Sequence, residues 1–198
     1  YPVEANIWNL VDNPYTFNAY VNQPHYVLNS AGTAVVPAAS NSAAIAPCTG
    51  VLVSGNATFY NAPQTQSNNQ GNIEIALAQT VATRGGSNME TLDNAIVSFN
   101  ESSELGKFYF GTQAANIYIP QGTEEYAIAY SNPQGEMPVN FKANQDGEYT
   151  LSINANDVEM SYLHLIDNMT GTDIDLLATP SYTFNATTRD YESRYRPC

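Results

Sequence analysis

The feature that most constrains this chain is an alternation of apolar and polar or small residues with a period of two. In IEIALAQTV (residues 73–81), large apolar side chains at positions 73, 75 and 77 alternate with Glu and Ala, which is strand spacing and not helix spacing. Elsewhere, short runs rich in Val, Ile, Tyr, Phe and Thr are separated by Gly, Asn, Pro and Ser at intervals of about 8–12 residues, as in sandwiches and barrels. The sequence therefore predicts an all-β fold of antiparallel β-sandwiches, immunoglobulin-like or jelly-roll-like, with little or no helix.

The spacing of the predicted strands suggests two domains. Residues 1–112 include a Gln/Asn/Ser/Gly-rich loop at 61–72 and predict a β-sandwich or jelly-roll-like domain with long loops. Residues 113–198 have tighter spacing and an Asp-Gly hairpin signal at Asp146-Gly147, and they predict a smaller immunoglobulin-like sandwich.

Two of the predicted strands place their side chains on specific faces. In Lys107–Phe110, the two phenylalanines share the core face and Tyr109 points the other way. In Tyr191–Arg196, the tyrosines share one face, and Glu192, Arg194 and Arg196 share the other.

Charge excludes one class of partner. The 198 residues carry 19 acidic and 6 basic side chains, a formal net charge of −13. Such a chain repels a phosphate backbone, so we expect no nucleic-acid partner. No apolar run approaches the roughly 18–20 residues that span a bilayer, so we expect no membrane-spanning segment. The chain begins Tyr1-Pro2, which indicates a processed product or an excised fragment.

Three acidic residues, Asp167, Asp173 and Asp175, surround Gly171 and are weak candidates for calcium ligands. An EF-hand loop needs oxygen ligands at alternating positions and glycine at the sixth, which would place Ile166 at position one. The EF-hand register therefore fails. Residues 162–167 and 172–177 instead predict a hairpin, with Asp173 and Asp175 together on a solvated face.

The titratable residues form no recognisable catalytic arrangement in the sequence. His25 and His164 are the only histidines, and the chain has no Gly-x-Ser-x-Gly motif. Carboxylate pairs such as Glu124-Glu125 and Glu74/Glu90 could serve glycoside hydrolysis, but any acidic chain supplies such pairs by chance. We therefore expect no enzymatic activity, no catalytic residues and no bound cofactor, with calcium as the one open alternative.

Aromatic residues offer a candidate binding platform. Tyr118, Tyr126 and Tyr130 lie in neighbouring predicted strands of the middle region. Flat aromatic rings on an exposed sheet face can stack against sugar rings or protein partners. Ordinary cross-strand packing in a β-core is the competing interpretation for each of them.

The two cysteines, Cys48 and Cys198, leave two interpretations open. They could form a disulfide in an oxidising compartment, or they could be two separate thiols. Cys-x-x-Cys pairs and Cys/His clusters are absent from the sequence, which argues against a structural zinc site.

The segments GEMPVNFKA (135–143), GEYTLSI (147–153), YLHLIDNMTG (162–171) and DLLATPSYTF (175–184) carry a resemblance to a known group. With them, the chain resembles a β-sandwich module near the C-termini of secreted and cell-surface proteins of Bacteroidetes bacteria. In those proteins the module precedes a type IX secretion sorting domain. The resemblance implies an extracellular or cell-surface location, and it supplies no catalytic residues.

These observations lead to an expected function and two alternatives. We expect a non-enzymatic extracellular or cell-surface module for adhesion or surface assembly, whose partner is a protein or a glycan at the cell surface. Unpaired sheet edges would allow self-assembly into a fibre completed by strand exchange. The first alternative is a carbohydrate-binding module that uses exposed tyrosines. The second is an accessory domain of a glycan-degrading enzyme.

Overall fold

The computed structural model describes residues 8–21, 23–38, 43–62, 71–83, 86–99, 104–109, 111, 113–131, 135–156 and 158–197. Every regular element within these ranges is a β-strand, which confirms the predicted all-β class. The described part of the chain contains no helix that is long and apolar enough to cross a membrane. The strands are β1 (Trp8–Asp12), β2 (Tyr20–Val21), β3 (His25–Leu28), β4 (Val35–Pro37), β5 (Gly50–Ser54), β6 (Phe59–Tyr60), β7 (Asn72–Thr83), β8 (Gly86–Ser98), β9 (Leu105–Gly106), β10 (Ala115–Gln121), β11 (Glu124–Tyr130), β12 (Asn140–Ala143), β13 (Gly147–Asn156), β14 (His164–Asp167), β15 (Thr172–Asp175), β16 (Ser181–Ala186) and β17 (Tyr195–Pro197).

The large sheet dominates the fold. Its strand order is β12-β10-β11-β8-β7-β13-β16, and β9 pairs with β11 at the side. Described pairs in the sheet are antiparallel apart from β8 and β11, which run parallel. The alternation predicted for β7 is present, since Ile73, Ile75 and Leu77 are buried on the inner face. Inner-face residues of β10 and β13 join them in the main apolar core.

A three-stranded sheet, β15-β14-β17, covers the inner face of the large sheet. It contacts both edges of the large sheet. At one edge, Val139 next to β12 forms a β-bridge with Tyr195. At the other edge, Arg194 donates to the carbonyl of Asn185 in β16 at 3.1 Å. The three-stranded sheet thereby spans the gap between the two edge strands, and the large sheet approaches a closed barrel.

The first strands form a four-stranded sheet, β1-β5-β3-β4, with a small β2–β6 pair beside it. This sheet has its own apolar cluster, and it also covers part of the outer face of the large sheet. Tyr26 and Val35 pack there against Ile96 and Ile128. Trp8 meets the ring of Tyr26 edge-on, with 4.9 Å between ring centroids.

The predicted domain boundary between residues 112 and 113 falls inside the large sheet. β7 and β8 precede that position, whereas β10, β11 and β13 follow it, and β13 pairs with β7 over eight residues. The sheet is therefore continuous across the predicted boundary. The long β7–β8 hairpin contributes central strands to a sheet that the later strands complete.

Two predicted strands differ from the structure in ways that affect the sites below. The described residues 107–109 form no strand, and Phe108, expected in the core, is 50% exposed; Phe110 lies outside the described residues. The last strand begins at Tyr195, and Arg194, predicted to share a face with Glu192 and Arg196, is 2% exposed.

Candidate functional site

The β7–β8 hairpin projects beyond the strands that flank it. The two strands pair with each other from Asn72 and Ser98 at the base to Thr83 and Gly86 at the far end. β13, however, accompanies β7 only as far as Gln79, and β11 accompanies β8 only along residues 96–98. We call the projecting part, residues 80–83 and 86–91, the arm. Residues 86–91 are all exposed, and Met89 is 61% exposed.

Side chains cap the outer edge of β8 as far as Thr91, at the base of the arm, but not beyond it. Lys107 donates to the carbonyl of Asn94 at 3.3 Å, Gln113 donates to that of Leu92, and Thr33 donates to that of Thr91 at 3.4 Å. Within the described part of the chain, no strand or side chain hydrogen-bonds to the outer edge of residues 87–90. An uncapped strand edge is a template for pairing with another strand.

A polar groove of about 630 Å³ lies between the arm and the loop after β3. The loop is held in shape by Asn29, whose side-chain oxygen accepts from the Thr33 amide at 2.9 Å, and by Gly32, whose positive φ of 69° suits glycine. Glu74 and Glu90, which the sequence offered as a carboxylate pair, both line the groove. The described lining contains no basic side chain, so the groove is acidic.

A second polar site lies on the outer face of the large sheet, at the end formed by β12, β10 and β11. The site brings together two tyrosines, two glutamates, an asparagine and a lysine, and we call it the tyrosine–carboxylate cluster: Tyr109, Tyr118, Glu125, Asn140, Lys142 and Glu192. Strand register explains the position of four of them. Tyr118 faces Asn140 across the β10–β12 pair, with Lys142 two residues further along β12. Glu125 opposes Pro120, two residues beyond Tyr118 on the same face of β10.

Backbone hydrogen bonds bring in the other two members of the cluster. The Lys107 amide donates to the carbonyl of Glu125 at 2.8 Å, which places the following segment, with Tyr109, beside β11. The Phe141 amide donates to the carbonyl of Glu192 at 2.8 Å, which places Glu192 beside β12.

Hydrogen bonds hold both carboxylates of the cluster in place. The hydroxyl of Tyr109 donates to Glu125, and the hydroxyl of Tyr118 donates to Glu192. Lys142 lies 2.9 Å from the second carboxylate oxygen of Glu192. The hydrogen bonds from Tyr118 and Lys142 lower the pKa of Glu192, whereas burial and the hydrogen bond to Glu125 raise the pKa of Tyr109 well above its ordinary value. The Glu192 carboxylate is therefore ionised, and the Tyr109 phenol neutral, at pH 7.

The predicted platform of Tyr118, Tyr126 and Tyr130 does not form one exposed surface. Tyr118 is 3% exposed. Tyr126 packs against the main core. It pairs with Ile119, and Ile119 points to the inner face of the sheet, opposite to its neighbour Tyr118. Tyr130 is half-buried at the end of β11. The exposed rings of this region are Phe108 and Tyr109, at 50% and 52%. Alternation in residues 107–110 predicted that Tyr109 points away from the core, but it carried no signal for the hydrogen bond from Tyr109 to Glu125.

The three aspartates proposed for calcium have separate partners. Asp167 is fully buried and accepts from Arg194, at 2.8 Å from Nη2. Asp173 is paired with His164 at 2.7 Å, and Asp175 accepts from the Leu177 amide at 2.9 Å. Within the described ranges, no three His, Cys, Asp or Glu side chains are grouped as metal ligands would be. The predicted hairpin itself is present, because β14 pairs with β15.

His25, His164 and Cys48 neither line the acidic groove nor belong to the tyrosine–carboxylate cluster. His25 is buried beside the first sheet, where burial lowers its pKa, and His164 lies on β14. Cys48 is exposed in a turn with a φ of 57°. Cys198 lies outside the described residues, so the proposed disulfide stays a prediction.

An apolar cavity of about 360 Å³ opens at the end of the main core. Ile73, Ile153, Met160 and Leu163 are among its lining residues. Among the lining side chains that the structure describes, the charged one is Glu159. The cavity therefore offers apolar contact and little polar recognition.

No family model, curated protein or solved structure matches the chain.

Proposed function

We propose that this protein is a non-enzymatic extracellular or cell-surface module for adhesion or surface assembly, and that the arm is its contact element. In this proposal the outer edge of the arm pairs with a strand of a second copy of the chain. The observation that carries the proposal is the uncapped edge of residues 87–90, directly beyond three positions where side chains cap the same strand.

The change from a capped to an uncapped edge supports a role in pairing. Soluble proteins blunt exposed edges with charges, bulges or covering segments. Thr33, Gln113 and Lys107 cap β8 in this way up to Thr91. Each main-chain hydrogen bond formed with an added strand would contribute about 0.5–1.5 kcal/mol. The exposed Met89 side chain would add apolar contact.

Charge sets a condition on such pairing. Two copies with a net charge of −13 each repel one another, and Glu90 lies on the arm itself. Salt screens repulsion between exposed charges. Self-association should therefore strengthen as ionic strength rises, opposite to the behaviour of contacts between oppositely charged surfaces.

The arrangement of carboxylates supports the non-enzymatic part of the proposal. Glycoside hydrolysis needs two carboxylates on either side of a substrate bond. Glu125 and Glu192 lie on an open sheet face, and each accepts a hydrogen bond from a tyrosine. Neither lies in the buried apolar surroundings in which the general acid of a glycosidase is found.

Two matched substitutions test the proposal. Met89→Lys adds a charge to the arm, and Met169→Lys adds the same charge to the tip of the β14–β15 hairpin, where Met169 is 41% exposed. We expect the wild type to associate as concentration and salt increase in sedimentation velocity. Met89→Lys should stay monomeric, and Met169→Lys should behave as the wild type. A wild type that is monomeric under all conditions, with no filaments by electron microscopy, would contradict the proposal.

We also propose that the protein belongs among the surface proteins of Bacteroidetes exported by type IX secretion. The segments quoted for the resemblance support this proposal. Antibody labelling of intact cells of the source organism, compared with lysed cells, tests it. Labelling that appears only after lysis would contradict it.

A further inference from the structure

We infer that the tyrosine–carboxylate cluster is a binding site for a neutral saccharide. This site lies on the outer face of β12, β10 and β11, whereas the arm extends from β7 and β8. The inference is therefore independent of the proposed pairing of the arm. It rests on the ring of Tyr109, on two fixed carboxylates and on the charge around them.

The ring of Tyr109 is exposed and held in one orientation. It is 52% exposed, and its hydroxyl donates to Glu125. The C–H bonds on one face of a pyranose ring pack against an aromatic ring. A ring whose orientation is already fixed loses little conformational entropy when it binds. Tyr109 therefore provides the stacking surface that a saccharide requires.

The carboxylates supply hydrogen-bond acceptors at the same place. A carboxylate has about four lone-pair positions. The hydrogen bond from Tyr109 occupies one position on Glu125, and Tyr118 and Lys142 occupy positions on Glu192. Positions that remain can accept from sugar hydroxyls, and the ammonium of Lys142, which is 51% exposed, can donate to them. Saccharide hydroxyls both donate and accept, so this mixture of groups suits them.

Charge selects neutral saccharides over acidic ones. The cluster contains two glutamates and one lysine, and the whole chain carries a net charge of −13. A uronate or sialate would meet like charges within the cluster and across the protein surface. A neutral hexose or N-acetylhexosamine meets no such repulsion.

The outermost members of the cluster can be changed without affecting the fold. Tyr118 is buried, and Glu192 adjoins the segment that leads into β17, so replacing either would also affect packing. Tyr109 and Glu125 are exposed. Tyr109→Ala, Tyr109→Phe and Glu125→Gln are therefore the informative substitutions. Tyr162→Ala is the matched control, because Tyr162 is 57% exposed on the other side of the core.

A glycan array with neutral and acidic glycans, followed by calorimetric titration with the best neutral saccharide, tests the inference. We expect binding to neutral saccharides. Tyr109→Ala should weaken it about tenfold, because a stacked aromatic contact has about that effect. Glu125→Gln should also weaken it about tenfold through loss of a charged acceptor. Tyr109→Phe should weaken it less than Tyr109→Ala, and Tyr162→Ala should leave it unchanged.

Three outcomes would overturn the inference: no neutral glycan binds, acidic glycans bind in preference, or Tyr109→Ala binds as the wild type does. Circular dichroism of each variant establishes that its fold is intact. The arm variant Met89→Lys should retain full saccharide binding. Measuring both saccharide binding and self-association of this variant separates the inference from the proposed function, because either can fail while the other holds.

Discussion

Replacement of Asp167 by asparagine should destabilise the protein severely, because it removes the nearer of two carboxylates that pair with the buried Arg194; the other, Asp190, lies 3.6 Å from Nη1. Asp167 and Arg194 are 0% and 2% exposed. The guanidinium of Arg194 donates from Nε and Nη2 to the carboxylate, at 3.1 and 2.8 Å, and lies 4.5 Å from the centroid of the Phe184 ring. The hydroxyl of Tyr182 also donates to Asp167, at 2.9 Å.

The expected magnitude follows from this geometry. Removing one partner of a buried ion pair costs about 3–5 kcal/mol, because the remaining charge is desolvated. Asp190, 3.6 Å from Arg194, offsets part of this cost but does not replace the two-pronged contact with Asp167. For a chain of this length, a loss of 1 kcal/mol lowers the melting temperature by about 2–4 °C. Asp167→Asn should therefore lower it by roughly 6–20 °C.

Chemical denaturation measures the effect, with two comparison variants. Glu136→Gln breaks the exposed pair with Arg196, whose oxygen and nitrogen lie 3.2 Å apart, and it should cost less than about 1 kcal/mol. The double replacement Asp167→Leu with Arg194→Met removes both charges and should recover much of the lost stability. If Asp167→Asn cost no more than Glu136→Gln, the reasoning about burial would be refuted.

The same carboxylate predicts how stability depends on pH. Burial alone would raise the pKa of Asp167, but hydrogen bonds from Arg194, Tyr182 and the Met169 amide, together with the charge of Arg194, outweigh it and lower the pKa. A lowered pKa in the folded state gives stability that is complete above the unfolded pKa of about 4 and is lost as pH falls through the folded value. The wild type should lose more stability than Asp167→Asn between pH 5 and pH 2, as measured by denaturation at each pH.

Three further substitutions test other parts of the fold by denaturation. Lys107→Met should lower the free energy of unfolding by about 3–5 kcal/mol, because it leaves Asp93 buried without its counterion. In the wild type the ammonium of Lys107 lies 2.6 Å from the Asp93 carboxylate. A loss below about 1 kcal/mol would contradict this. Phe141→Ala should also cost about 3–5 kcal/mol, since the ring is 1% exposed and its loss leaves a cavity in the main core; a near-neutral result would mean that the site collapses. Gly171→Ala should cost about 1 kcal/mol because the φ of 71° in the hairpin turn favours glycine; unchanged stability would argue against that turn.

Residue alternation predicted the strands of the core well. Ile73, Ile75 and Leu77 of β7 are buried as their spacing indicated. Asp173 and Asp175 are exposed on β15, and the hairpin that contains them is present. Such features depend on side chains that alternate between the two faces of a strand. This alternation is visible in a few consecutive residues of the sequence.

Long-range contacts could not be read from the same pattern. Alternation placed Arg194 on one face with Glu192 and Arg196, but it did not show that Arg194 is buried. Its burial depends on Asp167, which is 27 residues away in sequence. The place of Tyr109 beside Glu125 was not predicted either, since it depends on a hydrogen bond from Lys107 to β11. The large sheet combines strands from both sides of the predicted boundary at residues 112–113. It likewise depends on pairing between strands that are distant in sequence.

Amide hydrogen exchange along the arm tests the central claim most directly. Exchange at those amides of residues 87–90 that point to the outer edge should be fast in dilute protein, because no described strand or side chain covers that edge. In concentrated protein at high salt, exchange at these residues should slow, while exchange in the β14–β15 hairpin should stay the same. Equal exchange at residues 87–90 under both conditions, in a sample that sedimentation shows to be associated, would contradict pairing through the arm.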